Sequence, residues 1–502
     1  DPVGAGADGS MWVERAGSST QVAVAGVSLV LPSGVSTMGS LRAMGTCSRN
    51  VLRVIPSSRW DVEQAAHALG STSPEVASRV RHGSFLCDAE LFERSFFSIS
   101  AAEAAAMDPQ QRQLLERGYA ALHESGMSKG ALLGATVAVN VGQWASEFGA
   151  VLMRTPAGRS VYASTGFSCS VTCGRVSFAL GLHGPCASYD TACSASLVAN
   201  HGSARALQRG ECVAALSAGV NMILDPAAML GTAVGGFTSV KGRSHTFDSR
   251  ADGYARGEAI GALASRLGDE AIGVLGSAVR QDGRSASLTA PSGQAQQGVL
   301  AAALSDAQLQ RGREVAALEA HGTGTALGDP IECGAFAAVF LSVGGSLVVS
   351  SLKANVGHTE PGAGLSGLSK LVVQLREGGM LPNAQLRSLN PHVGGLLQGN
   401  GGRCALPSHA SRVAKLPSLA GGVSSFGYSG TIAHAVVTRG AGVEGGGEAW
   451  PPSTPLVYHR RAFSWCSSSS HPMAQSRLAM PDGAHVFRSA AAGALHALVA
   501  DH

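Results

Sequence analysis

One cysteine of the chain has the surroundings of a nucleophile. Residues 190–196 read DTACSAS, which places Cys193 between a short extended run and a helix-like stretch rich in small residues. At the start of a helix, unpaired backbone N–H groups and the positive end of the helix dipole favour a thiolate. Such a thiolate can attack an acyl thioester and hold the acyl group covalently. For this segment alone, a buried structural cysteine is the alternative.

Two histidines follow apolar, strand-like runs later in the chain. His321 lies in LEAHGTGT (318–325) and His358 in SLKANVGHTE (351–360), each directly beside a glycine. Taken singly, a histidine near glycine is more often an ordinary loop residue than a catalytic one. A cysteine and two such histidines, far apart in sequence, predict a site that is assembled from several loop ends.

The elements that must position these residues alternate between strand and helix. Strands are predicted over residues 22–27, 136–141 and 214–220, and a helix over 101–125. A helix after Cys193 has apolar residues at spacings of three and four, with His201 on the buried face as a core histidine. This alternation predicts an α/β fold whose sheets are covered on both faces.

Several further segments occur in an order that identifies a family. They are RWDV (59–62), MDPQQR (107–112), GRVS (174–177), FDSRADGY (247–254), RGE (256–258) and VSSFGYSGT (423–431). With the cysteine and histidine segments, they resemble the β-ketoacyl synthases, specifically the ketosynthase domain of modular polyketide synthases, over about residues 22–437. The resemblance implies a thiolase-like α/β fold, with two similar halves stacked in a five-layered αβαβα arrangement. The duplication itself cannot be detected in the sequence.

The resemblance implies a decarboxylative Claisen condensation. Cys193 would hold the acyl chain, while His321 and His358 would donate N–H groups to the enolate oxygen formed when a malonyl thioester loses CO2. Which histidine also serves proton transfer stays open. The backbone N–H groups of Cys193 and Tyr428 would form the oxyanion hole. No cofactor and no metal is expected.

Other polar residues of the histidine motifs have supporting roles by the same resemblance. Lys353 would balance the local charge, paired with a carboxylate such as Glu332, and its alternative is a solvated surface lysine. The supporting residues are Thr323, Thr325, Asp329, Glu332 and Asn355.

The chain departs from the family pattern near its end. Ile432 stands where the family usually has asparagine, so hydrogen bonding in that loop is in question. Tyr428 replaces the more common phenylalanine, and Ser429 a usual glycine. With Gly235 and Phe237, Tyr428 is expected to influence the choice of acyl chain. Neither the nucleophile nor a histidine is lost.

Composition fits a large enzyme and excludes several other classes. Of 502 residues, 45% are hydrophobic and 14% charged, and a net charge of +3 gives no argument for nucleic acid or membrane partners. No apolar run reaches the length of a membrane span. Ten scattered cysteines indicate reduced thiols and a cytoplasmic location. Cys169 and Cys173 are expected in the core rather than at a metal.

The chain divides into five predicted segments. Residues 1–21 are a disordered N-terminal segment of a longer polypeptide, 22–270 the half with the nucleophile, and 271–437 the half with both histidines. Residues 438–470 are a linker and a post-ketosynthase segment, and part of the latter (455–465) is expected to pack back on the main domain. Residues 471–502 resemble the truncated start of a dehydratase domain, which implies a separate acyltransferase for malonyl loading.

Three functions remain open from the sequence. The first is condensation with a malonyl unit on the phosphopantetheine arm of an acyl carrier protein, performed by a homodimer with residues 174–177 near its interface. The second is a thiolase-like enzyme that uses coenzyme A thioesters, which the two-histidine pattern disfavours. The third is a non-catalytic scaffold that binds acyl carriers.

Overall fold

We describe a computed structural model of the chain. It covers residues 21–60, 62, 65, 73–309, 312–398, 403–412, 420–440, 456–465, 476–479 and 485–488. The predicted disordered N-terminal segment, residues 1–21, lies outside the described residues except for Gln21. The predicted dehydratase start lies outside them as well, except for an antiparallel pair of strands, Ser476–Ala479 and His485–Arg488.

The core of the fold is a mixed sheet of eleven strands within the described residues. In chain order these strands are β1 Val22–Val30, β2 Val137–Gly142, β3 Cys186–Tyr189, β4 Ala214–Asn221, β5 Ala259–Leu267, β6 Ile272–Gln281, β7 Val315–Glu319, β8 Ser346–Ser350, β9 Arg403–Ala405, β10 Ala420–Phe426 and β11 Thr431–Arg439. Their spatial order is β9-β8-β7-β10-β11-β6-β1-β5-β4-β2-β3. Shorter strands outside this sheet are Arg53–Val54, His82–Ser84, Leu91–Phe92, Arg256–Gly257, Gly379–Met380, Ser411–Arg412 and Arg461–Ala462.

The sheet contains the same topology twice. The first half has the order β3-β2-β4-β5-β1 and the second β8-β7-β10-β11-β6, with β9 added at the edge. In each half the first three strands are parallel and the last two antiparallel. The halves join where β1 pairs with β6 through Val22 and Val274. The predicted pair of similar halves is therefore confirmed, although sequence alone did not reveal it.

Helices cover the sheet in three layers. In chain order they are α1 Met38–Thr46, α2 Pro74–Arg79, α3 Ala101–Ala106, α4 Pro109–Glu124, α5 Lys129–Leu132, α6 Phe148–Leu152, α7 Ala163–Gly166, α8 Cys169–Leu180, α9 Ala195–Gln208, α10 Pro226–Val234, α11 Gly293–Asp306, α12 Gly328–Phe336, α13 Lys353–Val356, α14 Ala363–Glu377 and α15 Pro391–Gln398. Helices α4 and α8 pack on the outer face of the first half, and α11 on that of the second, with α12 against it. Helices α9 and α14 fill the layer between the halves. The arrangement is the predicted five-layered αβαβα stack.

One predicted helix is in fact two. The pattern over residues 101–125 predicted a continuous helix, but α3 ends at Ala106 and α4 begins at Pro109. The carboxylate of Asp108 accepts a hydrogen bond from the Gln110 N–H (2.7 Å) and so caps α4. Proline is favoured at the first position of a helix and breaks its interior, so the second helix starts there.

The end of the main domain also differs from the prediction. Strand β11 extends to Arg439, so Thr438 and Arg439 belong to the sheet and not to the linker. Residues 441–455 of the linker lie outside the described residues. The segment at 456–465 packs back on the domain as predicted: Arg461–Ala462 pairs with Leu91–Phe92. No helix in the described part of the chain is long and apolar enough to cross a membrane.

Candidate active site

The nucleophile turn joins β3 to α9. A short 3-10 turn, Ala192–Ser194, follows β3 directly and α9 begins at Ala195. Ala192 has φ +53°, a left-handed conformation that is uncommon outside glycine and typical of functional turns. The Ser425 hydroxyl on β10 donates to the Cys193 carbonyl oxygen (2.7 Å). Thus the second half of the fold fixes a turn that belongs to the first.

The thiol of Cys193 is not a thiolate in the substrate-free site. Burial, followed by the charge of Glu360, raises the pKa of Cys193 to about 12, against the opposing effects of Lys353 and of the backbone N–H groups of Tyr428 and Cys193. The sequence-based prediction of a lowered pKa at the helix start is therefore wrong. Loss of hydration in a buried site outweighs the dipole of one helix.

The predicted oxyanion-hole residues act on the Cys193 thiol. The backbone N–H groups of Tyr428 and Cys193 both oppose the rise of the Cys193 pKa. A Cβ at Gly427 would lie 2.4 Å from the Thr191 carbonyl oxygen, so only glycine permits this approach of the loop to the nucleophile turn. The loop that carries the Tyr428 N–H is therefore held against the nucleophile turn.

The residues that depart from the family pattern occupy two environments. Ile432 is fully buried in the apolar core, beside Phe426 and Val436, and not in the cavity. Tyr428 is half exposed and lines the cavity, with its ring centroid 5.9 Å from that of Phe237. Ser429 is exposed. The replacement at 432 leaves the cavity wall unchanged, whereas Tyr428 adds a phenol to it.

His321 lies just after the end of β7, where a carboxylate fixes its backbone. The N–H groups of His321 and Gly322 both donate to the Glu332 carboxylate at 2.7 Å. The Nδ1 atom of His321 accepts a hydrogen bond from the Phe426 N–H at 3.2 Å. Since Nδ1 accepts, the neutral ring carries its proton on Nε2.

His358 is fixed in a similar way by a different segment. Its N–H donates to the Ala255 carbonyl oxygen (2.7 Å), and its carbonyl oxygen accepts from the Gly257 N–H (2.8 Å). Its Nδ1 accepts from the Glu360 N–H at 3.2 Å, and its Nε2 is buried with no protein partner among the described residues. His358 therefore also carries its proton on Nε2, where it is free to donate to a ligand.

Both imidazoles are neutral. Burial, and after it the positive charge of Lys353, lowers the pKa of His321 and of His358 well below the ordinary value. Each ring offers an Nε2–H donor without being an acid strong enough to protonate a carbanion readily. Two neutral donors are what the resemblance implied for His321 and His358, and their roles stay a prediction.

Lys353 is buried, which excludes the solvated surface lysine. No close ion pair joins Lys353 to Glu332 in the described part of the chain, but burial lowers the pKa of Lys353 and the negative charges of Glu319, Glu332 and Asp329 oppose this lowering. Glu319 is bound by Lys370 at 2.8 Å. Lys353 thus lies close enough to act on the charges of both His321 and His358.

The other predicted supporting residues separate into two groups. Four of them line the same cavity as Cys193, His321 and His358, namely Thr323, Thr325, Asp329 and Glu332. Asp329 accepts hydrogen bonds from the Phe247 and Gly324 N–H groups (2.7 and 3.0 Å), and burial raises its pKa to about 6. Asn355 does not line the cavity; its side chain donates to the Arg49 carbonyl oxygen (2.9 Å) and ties down a distant loop.

An ion network beneath His358 was missed by the sequence reasoning. Arg256 is fully buried, pairs with Glu360 (2.8 Å) and Glu147 (2.7 Å), and lies over the Trp144 ring. The Tyr254 ring stands edge-on to His358, with centroids 4.9 Å apart. The segment at 252–258 was recognised as a family motif, but its residue types alone did not show that it supports a histidine a hundred residues away.

The cavity that holds these groups has a volume of about 580 Å³. Cys193, His321 and His358 line it together with Trp144 and Phe237. No group of three or more histidine, cysteine or acidic side chains suited to a metal ion lies in the described residues. The cavity brings one thiol and two imidazole donors to the same space.

Family models match most of the chain. The β-ketoacyl synthase N-terminal domain matches residues 19–264, and the β-ketoacyl synthase C-terminal domain matches residues 272–387. The chain belongs to the β-ketoacyl synthase family. It carries a ketosynthase domain of the polyketide synthase type, a condensing enzyme of the acyltransferase class.

Curated relatives of the ketosynthase are long polyketide synthases. A phenolphthiocerol/phthiocerol polyketide synthase of Mycobacterium tuberculosis (strain ATCC 25618 / H37Rv) is 37% identical over 463 residues, which cover 90% of this chain and 30% of the relative. Polyketide synthase GfsB of Streptomyces halstedii is 39% identical over 436 residues, which cover 84% of this chain and 8% of that relative. The chain thus spans less than a third of the length of these relatives.

Two solved ketosynthase structures are similar to this chain. The ketosynthase from module 6 of the bacillaene synthase from Bacillus subtilis 168 matches with a TM-score of 0.74 and 29% identity, over 84% of this chain and 72% of that chain. The oxazolomycin ketosynthase domain OzmH KS7 of Streptomyces albus JA3453 matches with a TM-score of 0.76 and 29% identity. The match covers 84% of this chain and 75% of that chain. These matches agree with the thiolase-like fold.

Proposed function

We propose that the chain catalyses decarboxylative Claisen condensation of a Cys193-bound acyl group with a malonyl unit on an acyl carrier protein. The observation that carries the proposal is the tautomer of the two histidines. Both Nδ1 atoms accept backbone N–H groups, which leaves both Nε2–H groups as donors in the cavity of Cys193. An enolate oxygen requires such donors, and the nucleophile beside them supplies the acyl electrophile.

The first half of the reaction loads the acyl chain. The Cys193 sulfur attacks the thioester carbonyl carbon, and the oxygen becomes an oxyanion held by the N–H groups of Cys193 and Tyr428. Collapse of this intermediate expels the donor thiolate, which takes the proton that the thiol gives up. Because the free thiol is protonated, this proton must leave as the carbon–sulfur bond forms.

The second half makes and uses a carbanion. The malonyl carboxylate leaves as CO2, and its bonding electrons form an enolate whose oxygen accepts from His321 and His358. The enolate carbon then attacks the acyl carbonyl on Cys193, the carbon–sulfur bond breaks, and the Cys193 thiolate that leaves is protonated from water. Neutral imidazoles stabilise the enolate without quenching it, since their N–H groups are weak acids.

The two alternative functions are less well supported. A thiolase pairs its nucleophile with one histidine and a second cysteine, whereas the described lining of this cavity has Cys193 and two histidines. A non-catalytic scaffold needs no neutral histidine pair at a buried thiol. We therefore retain carrier-dependent condensation as the leading function.

The experiment is intact-protein mass measurement after incubation with acyl thioesters on carrier protein and on coenzyme A. Wild-type protein should gain one acyl mass, and Cys193→Ala should not. Addition of malonyl carrier protein should then remove the acyl mass and release CO2. A folded wild-type protein that gains no mass with any donor would favour the scaffold, and equal use of coenzyme A donors would favour the thiolase-like enzyme.

Partners and domain division remain proposals. We propose a homodimer with residues 174–177 near the interface, and malonyl loading by a separate acyltransferase, on the sequence resemblance alone. The domain boundaries at 270/271, 437/438 and 470/471 are proposals as well. The second of them is moved to follow Arg439, where the last strand of the sheet ends. The cytoplasmic location rests on the cysteine pattern.

A further inference from the structure

The segment at 456–465 contacts a buried arginine of the main domain. The Arg59 guanidinium lies over the half-buried Trp465 ring, with its central carbon 5.3 Å from the ring centroid. The Phe85 ring contacts the same guanidinium at 5.4 Å, and the Arg59 side chain is only 6% exposed. Attraction between a cation and an aromatic face is strongest where water is excluded. Trp465 therefore supplies part of the environment that holds Arg59 in place.

Arg59 is the cation of a buried ion pair. Its Nη2 atom lies 2.8 Å from the Glu258 carboxylate, whose side chain is fully buried. The same carboxylate accepts hydrogen bonds from the N–H groups of Leu86 (2.7 Å) and Ile223 (2.8 Å). Burial raises the pKa of Glu258, and the charge of Arg59 is the largest effect that opposes this rise. Because loss of one partner leaves a buried charge uncompensated, the position of Glu258 depends on Arg59.

Glu258 directly follows the short strand that holds His358. The Gly257 N–H donates to the His358 carbonyl oxygen at 2.8 Å. A Cβ at Gly257 would lie 2.4 Å from the Val356 carbonyl oxygen, so this strand and the residues just before His358 are in direct contact. The backbone of His358 is thus held by a strand whose next residue is fixed by Arg59.

We propose that Trp465 is a positioning residue for His358 and that it acts through Arg59 and Glu258. The proposal rests on the proposed condensing function, since it assigns Trp465 to the step in which His358 donates to the enolate oxygen. Trp465 is not among the described residues that line the cavity, so it touches no substrate. Acyl loading uses the Cys193 turn, which none of these contacts supports.

The test compares Trp465→Leu with Trp465→Phe and Val457→Ala. Leucine is apolar but removes the aromatic face, whereas phenylalanine restores a face for the Arg59 guanidinium. Val457 is an exposed residue of the same segment. CO2 release from the malonyl thioester of pantetheine and acyl loading of Cys193 are measured for each protein, and limited trypsin digestion establishes that the segment stays docked.

We expect Trp465→Leu to lower kcat for CO2 release by about tenfold, with acyl loading unchanged. Trp465→Phe should recover most of this loss, and Val457→Ala should resemble wild type throughout. Equal losses of CO2 release and acyl loading would assign Trp465 a general structural role and overturn the proposal. An unchanged kcat, or no recovery with phenylalanine, would overturn it as well.

A double-mutant cycle decides whether Trp465 acts through Arg59. In the Arg59→Met background, which lacks the guanidinium, Trp465→Leu should cause little further loss of kcat. The Trp465 ring also contacts the Arg112 guanidinium, at 5.7 Å. The same tenfold loss in both backgrounds would place the effect of Trp465 on another partner such as Arg112 and contradict the proposal.

Hydrogen–deuterium exchange supplies a readout that does not depend on activity. The Gly257 N–H is bound to the His358 carbonyl oxygen, so in Trp465→Leu it should exchange about tenfold faster than in wild type. Val457→Ala should leave its exchange rate unchanged. If wild type releases no CO2, the condensing function fails, while this exchange rate still decides whether Trp465 supports His358. Equal exchange in wild type and Trp465→Leu would show that it does not.

Discussion

The imidazole of His321 stands edge-on to that of His358, with ring centroids 5.5 Å apart and planes at 86°. Each ring is oriented by a backbone N–H that donates to its Nδ1 atom. The donor is Phe426 for His321 and Glu360 for His358. Two donors are thereby aimed from different elements at one cavity. Their neutrality depends on burial and on the nearby charge of Lys353.

Replacement of Lys353 by methionine should move the pH dependence of malonyl decarboxylation. Activity requires neutral imidazoles, so it should fall as pH drops through the histidine pKa values, which lie well below the ordinary 6.5. Removal of the positive charge makes protonation easier, raises both pKa values and shifts the acid limb to higher pH. A pH–rate profile checks this, with Lys241→Met, an exposed lysine, as control. An unchanged acid limb, or one at lower pH, would contradict the role of Lys353.

Alkylation of Cys193 by iodoacetamide should show no plateau near neutral pH. Because burial raises the pKa of Cys193 to about 12, the thiolate fraction should grow about tenfold per pH unit up to pH 10. The rate is taken as the difference between wild type and Cys193→Ala, which removes the signal of the other thiols. A plateau below pH 8 would show a low-pKa thiolate and refute the assignment.

Gly427→Ala should slow acyl loading by about a hundredfold. The new Cβ would lie 2.4 Å from the Thr191 carbonyl oxygen and force the loop with the Tyr428 N–H away from the nucleophile turn. Gly298→Ala is the control, since a Cβ there has no neighbour within 4 Å. Loading is followed by mass spectrometry, and thermal unfolding establishes that both variants fold. Wild-type loading by a folded Gly427→Ala protein would remove this loop from the oxyanion hole.

Phe463→Ala should release the segment at 456–465 from the domain. The Phe463 ring packs on the Phe92 ring with centroids 6.4 Å apart and lies under the Arg112 guanidinium. The backbone carbonyl oxygen of Phe463 also accepts a hydrogen bond from Arg112. Loss of this half-buried ring should speed tryptic cleavage at Arg460 and Arg461 by at least about tenfold.

Val457→Ala serves as the control for that experiment, because Val457 is 76% exposed and should contribute little. Equal cleavage of wild type and Phe463→Ala would mean that the ring does not hold the segment in place. Acyl loading should change little in either variant, since neither residue lines the cavity.

Local sequence predicted the strands and turns that carry the site. The run before Cys193 is β3, the stretch after it is α9, and both histidines follow strand or helix ends as the segments indicated. Such features depend on residues a few positions apart, so they can be read from periodicity and turn residues. The helix break at Asp108 and Pro109 was equally local, and its capping signal was overlooked.

Sequence by itself determined the order of the elements and the positions of the candidate nucleophile and histidines, because these depend on residue types and short-range spacing. Tertiary structure alone decided the protonation of Cys193 and the tautomers of His321 and His358. Each of these depends on burial by, or hydrogen bonding to, segments that are tens to hundreds of residues away in sequence. Charge and hydrogen bonding in a buried site are properties of its surroundings, which no single segment contains.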